Sequence, residues 1–223
     1  MTLAPSIPET VVAVEWIFNN CFSLTTAPVL PEYIENLAFA FRACTKMNTY
    51  EGSTEELGYF VNYPIPQNVT SMNNTFCGCE LMKEAPNLEK LTKLENMWSA
   101  FDSCISLETS PIIPNGVTIM NTTFNNCKVL KVAPVIPSSV KEMSATFEGC
   151  IALTTAPVIP SSVKNIQALF YNCESLNGNV EINSNPTDYA SCFYGTVKPI
   201  KITGTCSIDI KKLISWEYTN VTY

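Results

Sequence analysis

Residues 123–140 read TFNNCKVLKVAPVIPSSV, and residues 146–163 read TFEGCIALTTAPVIPSSV. Two such near-duplicates, one beginning at Thr123 and the next at Thr146, mark a chain built by repetition. A fixed period of this length points to stacked layers sharing one continuous core. Worked outward along F-x-x-C, the repeat places phenylalanines at Phe18, Phe41, Phe76, Phe101, Phe124, Phe147, Phe170 and Phe193. Five of the intervals equal the step from Phe124 to Phe147; the step from 41 to 76 carries 12 extra residues and the step from 76 to 101 carries two. Within a rung the pattern is F-x-x-C-x-x-L-x-x-A-P-x-I-P-x-x-V-x-x-M, as in Phe124, Cys127, Leu130, Pro134, Ile136, Pro137, Val140 and Met143.

The local pattern predicts one helix and one strand per rung. Met143, Phe147 and Cys150 recur at i, i+4 and i+7, the stripe of a two-turn helix facing inward. The following IALTTA is rich in threonine and apolar residues and stops at Pro157, which cannot donate to a ladder, so it reads as a short parallel strand. The expected fold is therefore α/β, a leucine-rich-repeat-like solenoid with one short parallel strand and one short helix per 23-residue rung. The solenoid is expected over residues 1–192 and a β-rich C-terminal cap over 193–223; the pattern loosens after Leu176, with strand-like alternation in VEIN (180–183) and KPIKIT (198–203). Because MTLAPSIPETVVAVEWIF aligns with the second part of a rung, the chain is expected to start mid-rung, as a fragment of a longer array or with an end covered by self-association.

NVTSMNNTFCGCELM (68–82), GVTIMNTTFNNCKVL (116–130) and SVKEMSATFEGCIAL (139–153) share V-x-x-M-x-x-x-F-x-x-C-x-x-L. This signature resembles that of the BspA-type leucine-rich repeat proteins of bacteria. The resemblance implies a curved leucine-rich solenoid, and it implies surface adhesins that bind host proteins or other cells. An adhesion module at the cell surface or secreted, non-enzymatic and recognising a protein or glycan, is thus the expectation. A structural or receptor-binding part of a larger assembly, such as a phage tail in a virion, is the alternative.

Composition narrows the classes of function. The 223 residues include no histidine, which removes the commonest general base and metal ligand, and no enzyme is expected. The net charge of -7 opposes a phosphate-tracking groove, so nucleic acid is not an expected partner. No cofactor or metal is expected, since the chain has no glycine-rich phosphate loop and no calcium loop. The N-terminus has no basic region ahead of its short apolar run, and no run is long enough to insert in a membrane.

Ten cysteines remain to be placed. Cys21, Cys44, Cys79, Cys104, Cys127, Cys150 and Cys173 share one rung position, expected to be a ladder of buried thiols acting as small apolar groups. Off register lie Cys77, expected at the surface or rim, and Cys192 with Cys206, which could close a loop in the cap.

Two features offer recognition. The 12 extra residues fall in the insertion at about 48–63 and bring Tyr50, Tyr59, Phe60 and Tyr63, rings that either anchor a partner or fold back over the flank. The position after the rung leucine reads Thr25, Asn48, Lys83, Glu108, Lys131, Thr154 and Asn177 and should be exposed. Lys83, Glu108 and Lys131 form a row of alternating charge there, either a recognition surface or a solvated face.

Overall fold

In the computed structural model the chain winds as a solenoid; residues 2–207, 209 and 220–223 are described. The eight rung phenylalanines form one continuous stack through the core. Neighbouring ring centroids from Phe18 to Phe193 lie 5.5–5.9 Å apart with planes within 18° of parallel. Such an offset ladder adds to area burial. Around it stand columns of Met, Leu, Ile and Val, exemplified by Met120, Leu130, Ile136 and Val140, all buried.

Two columns of parallel backbone pairing run the length of the stack. The first follows the rung leucine. It begins with β1 (Thr2–Leu3), β2 (Leu24–Ala27) and β3 (Thr49–Tyr50), which pair in that order. Through the middle it thins to single bridges such as Tyr59 to Glu84, Glu84 to Thr109 and Val132 to Thr155. It widens again into β4 (Gly178–Glu181), β5 (Ile200–Thr203) and β6 (Val221–Thr222). The strand expected in every rung is therefore a single bridge in the central ones. The C-terminal end is β-rich as expected, and its strands add further parallel layers, with Gly178 opposite Ile200 and Ile200 opposite Val221. Residues 208 and 210–219 of the expected cap lie outside the described residues. The second column precedes the rung methionine and links Asn36, Ser71, Asn96, Ile119, Glu142, Asn165 and Asp188.

The expected helix does not form in the described rungs. Between Met143 and Cys150 the backbone alternates two kinds of hydrogen bond. The N–H groups of Met143, Ala145, Phe147 and Gly149 donate to the next rung, to the carbonyls of Asn165, Gln167, Leu169 and Tyr171 at 2.7–3.1 Å. Those of Thr146, Glu148 and Cys150 donate three residues back, at 3.1–3.3 Å. Left-handed backbone two residues before and two after each phenylalanine makes this possible: Ala145 and Gly149 have φ of 53° and 70°, and Thr122 and Asn126 have 52° and 56°. A helix would satisfy these groups four residues back within one rung, whereas this ribbon of turns ties rung to rung. Met, Phe and Cys still point inward, because the ribbon and a helix place i, i+4 and i+7 on one side. Gly and Asn, the residues most tolerant of φ near +60°, stand directly before six of the eight positions three after phenylalanine: Asn20, Gly78, Asn126, Gly149, Asn172 and Gly195.

The insertion thickens one side only. Phe41 donates its N–H directly to Thr75, so the phenylalanine side gains no layer. On the strand side Gly58 intervenes, donating to Asn48 while its carbonyl accepts from Lys83. Gly58 has φ of 94°, and a Cβ there would sit 2.7 Å from the Leu81 carbonyl oxygen, so this close approach requires glycine. The extra thickness is filled by Tyr50, Phe60 and Tyr63, which pack on one another at 5.4–6.1 Å between centroids. Tyr63 sets its edge against both Phe41 and Phe76.

Candidate binding surface

The row after the rung leucine is held in register by its own backbone: Glu108 donates to the Lys83 carbonyl at 2.8 Å and Thr154 to Lys131 at 3.1 Å. Lys83 is half-buried, while Glu108 and Lys131 are exposed. These three, with Ser106, Thr109 and Val129, line an open cleft of about 570 Å³. The Lys83 ammonium lies 5.5 Å from the centre of the Tyr59 ring, a cation–π contact that fixes the lysine at the cleft's end.

Of the insertion aromatics, only Tyr59 keeps exposed surface. Tyr50, Phe60 and Tyr63 are buried, and the Tyr63 hydroxyl donates to the Pro28 carbonyl at 2.8 Å. Their rings fill the added layer, so as placed they offer nothing to a partner. Leu57, exposed at the tip of the same loop, is the apolar residue the insertion does present.

Sequence reasoning missed the aliphatic side chains beside the charged row. Val129 and Val132 flank Lys131 and are exposed, and Ile112, Val135 and Val158 form a ridge one bend further along, with Val135 88% exposed. A second cleft of about 420 Å³ lies along that ridge, lined in part by Pro111, Ile112, Pro134 and Val135. The signal was present as alternation in A-P-x-I-P: Ile136 points in, so Val135 points out.

The cysteine column is a thiol ladder. From Cys44 to Cys173, every rung thiol is buried and donates to the carbonyl oxygen of the preceding rung's phenylalanine, at 3.0–3.4 Å. That carbonyl also accepts the N–H of its own rung's cysteine, so each thiol joins two layers. Cys21, at the start of the column, is half-buried. Burial pushes the Cys44 and Cys150 thiols up to about 12 and raises Cys79, Cys104, Cys127 and Cys173 well above the ordinary thiol range. Cys77 is half-buried on the outer face of the turns; burial, and then Asp102, push it up to about 11 against the pull of Arg42. Cys192 and Cys206 are both buried thiols, and no disulfide between them closes the cap. Among the described residues no group of three His, Cys, Asp or Glu side chains is placed to hold a metal ion, and no helix is long and apolar enough to cross a membrane.

The family model described as "BspA type Leucine rich repeat region" matches this stack of rungs over residues 54–177 and 98–220, with six copies. The chain belongs to the BspA-type leucine-rich repeat family. The solved structures it is similar to include a leucine-rich repeat protein from Bacteroides ovatus, at 20% identity, covering 91% of this chain and 64% of that one, with a TM-score of 0.49. A leucine-rich repeat protein of T. pallidum is similar at 21% identity, covering 98% and 83%, with a TM-score of 0.47. A leucine-rich cell surface protein of Faecalibacterium prausnitzii is similar at 18% identity, covering 90% and 65%, with a TM-score of 0.38. This BspA-type chain thus spans just under two thirds of the Bacteroides ovatus protein's length. No curated protein matches it.

Proposed function

We propose that this BspA-type chain is a non-enzymatic protein-binding module of a bacterial cell-surface or secreted adhesin, and that it engages its partner across the strand side between Lys83 and Val158. The observation that carries this reading is the exposed aliphatic cluster of Val129, Val132, Ile112 and Val135 beside the Lys83, Glu108 and Lys131 row. Aliphatic side chains that protrude side by side from a rigid solenoid, rimmed by charges of both signs, are the composition of a protein interface: a core that gains by leaving water and a rim that sets orientation. Two clefts along this side, of about 570 and 420 Å³, give side chains of a partner places to seat. Membership of the BspA-type family supports a surface location for this reading.

The test uses pull-down from extracellular-matrix and serum protein panels with the purified chain, then quantitative binding of the captured protein to Val132→Asp and Lys131→Glu. Val132→Asp is expected to weaken binding about tenfold or more, since it puts a charge in the apolar centre. Lys131→Glu should chiefly slow association and change its salt dependence. Unchanged affinity in both variants would remove the strand side as the interface.

A further inference from the structure

The outer face of the turns carries a second row, separate from the strand side. The position three before each phenylalanine reads Asn73, Trp98, Asn121, Ser144 and Gln167 over five successive rungs. All five are uncharged in a chain of net charge -7. Trp98 stands in the row with 49% of its surface exposed, although nothing in the core requires an indole there; the same position holds amides or a hydroxyl in the rungs beside it.

The amides along the row are pre-oriented. Asn73 Oδ1 accepts from the Asn74 side-chain amide at 2.7 Å, and Asn121 Oδ1 accepts the backbone N–H of Ser144 at 2.8 Å. Gln167 Oε1 accepts the Ser144 hydroxyl at 3.5 Å. In each case the amide oxygen accepts a hydrogen bond within the protein, so the donor end of the amide is the one the row can offer a ligand. The result is a flat indole with an amide on each side, carried on backbone-paired layers that stack about 4.8 Å apart over phenylalanine rings whose centroids are 5.8 Å apart.

We propose that this row binds an extended, uncharged oligosaccharide lying along the solenoid axis. An indole face stacks on the C–H face of a pyranose ring, because its apolar surface is matched while the sugar's hydroxyls stay at the edge. Aromatic platforms spaced along a groove serve single-stranded nucleic acids in the same way, but those need positive charge for the phosphates, which this row lacks. The amide NH2 groups donate to hydroxyl oxygens of the flanking sugars, and an extended chain lying along the axis meets successive rungs in turn. The row has no apolar centre beyond the single indole, so it does not have the composition of a protein interface.

The test is calorimetric titration of the 223-residue chain with cellohexaose and with chitohexaose. At least one should bind, and Trp98→Ala should weaken it tenfold or more without shifting the thermal midpoint, since the ring is exposed. Asn121→Asp should weaken it severalfold by replacing the donor with an acceptor. Lys131→Glu, on the strand side, should bind the saccharide as the parent does. Absence of heat with both saccharides at millimolar concentration overturns the proposal, as does full affinity in Trp98→Ala. Loss of a protein partner, and not of saccharide, in Trp98→Ala overturns it too.

Discussion

Ala168 has φ of 51° two residues before Phe170, a left-handed backbone that glycine or asparagine adopts more readily. Ala168→Gly is therefore expected to relieve about 1–2 kcal/mol of strain and give back part of it to chain entropy, for a net gain of about 0.5–1 kcal/mol in urea unfolding. Ala168→Val should be destabilising by more than that, since a β-branched residue is a true outlier there. The thiol ladder makes an independent prediction at the same scale. Burial raises Cys44 and Cys150 from the ordinary value of 9.0 to about 12, so the folded state holds protons that the unfolded chain gives up. Their contribution is fully present below pH 9 and is lost as pH rises from about 9 towards 12. The melting temperature should be level near neutrality and fall steeply above pH 9, and Cys44→Ser, with a hydroxyl that stays protonated, should flatten the fall; calorimetry across pH reads both.

Among the elements, the insertion differs most from what a loop on a solenoid leads one to expect. Its register glycine, Gly58, places Tyr59 in the strand column, and the layer this adds is packed by Tyr50, Phe60 and Tyr63. Phe60→Ala is expected to cost about 3–5 kcal/mol, the range for emptying a fully buried aromatic site, whereas Leu57→Ala at the exposed tip should cost under about 0.5 kcal/mol. Thermal and urea unfolding of the two variants checks the pair, and equal costs would mean that the rings do not carry this layer. The aromatic content of the insertion was legible in the sequence, but its direction was not. Inward and outward readings of Tyr59 and Phe60 differ by a single step of register, and Gly58's pairing with Asn48 and Lys83 decides between them.

The whole molecule behaves as a linear stack, and the period should be removable as a unit. Deleting residues 124–146 excises one full period and brings Thr123 to Phe147, which restores the rung pattern. The shortened chain is expected to unfold cooperatively with an m-value lower by about one tenth, since each rung buries its surface only against its neighbours. Deleting 124–135 removes half a period, sets the phenylalanine and strand columns out of step, and should give no cooperative transition. Circular dichroism during urea titration distinguishes the two.

The sequence alone determined the repeat, its length, the residues that face inward, and the family, because stacking like on like imposes the same side chain at the same place in every rung. Met143, Phe147 and Cys150 were assigned to the core correctly for that reason. Only the tertiary structure decided how the backbone of that segment is hydrogen-bonded. A helix and a ribbon of turns bury the same i, i+4 and i+7 positions. What selects the ribbon is that its N–H groups reach the next rung's carbonyls, as Met143 reaches Asn165, and no local pattern reveals partners a whole rung away. The same long-range pairing turned the insertion's rings inward and left Val132, Val135 and Trp98 as the side chains that protrude.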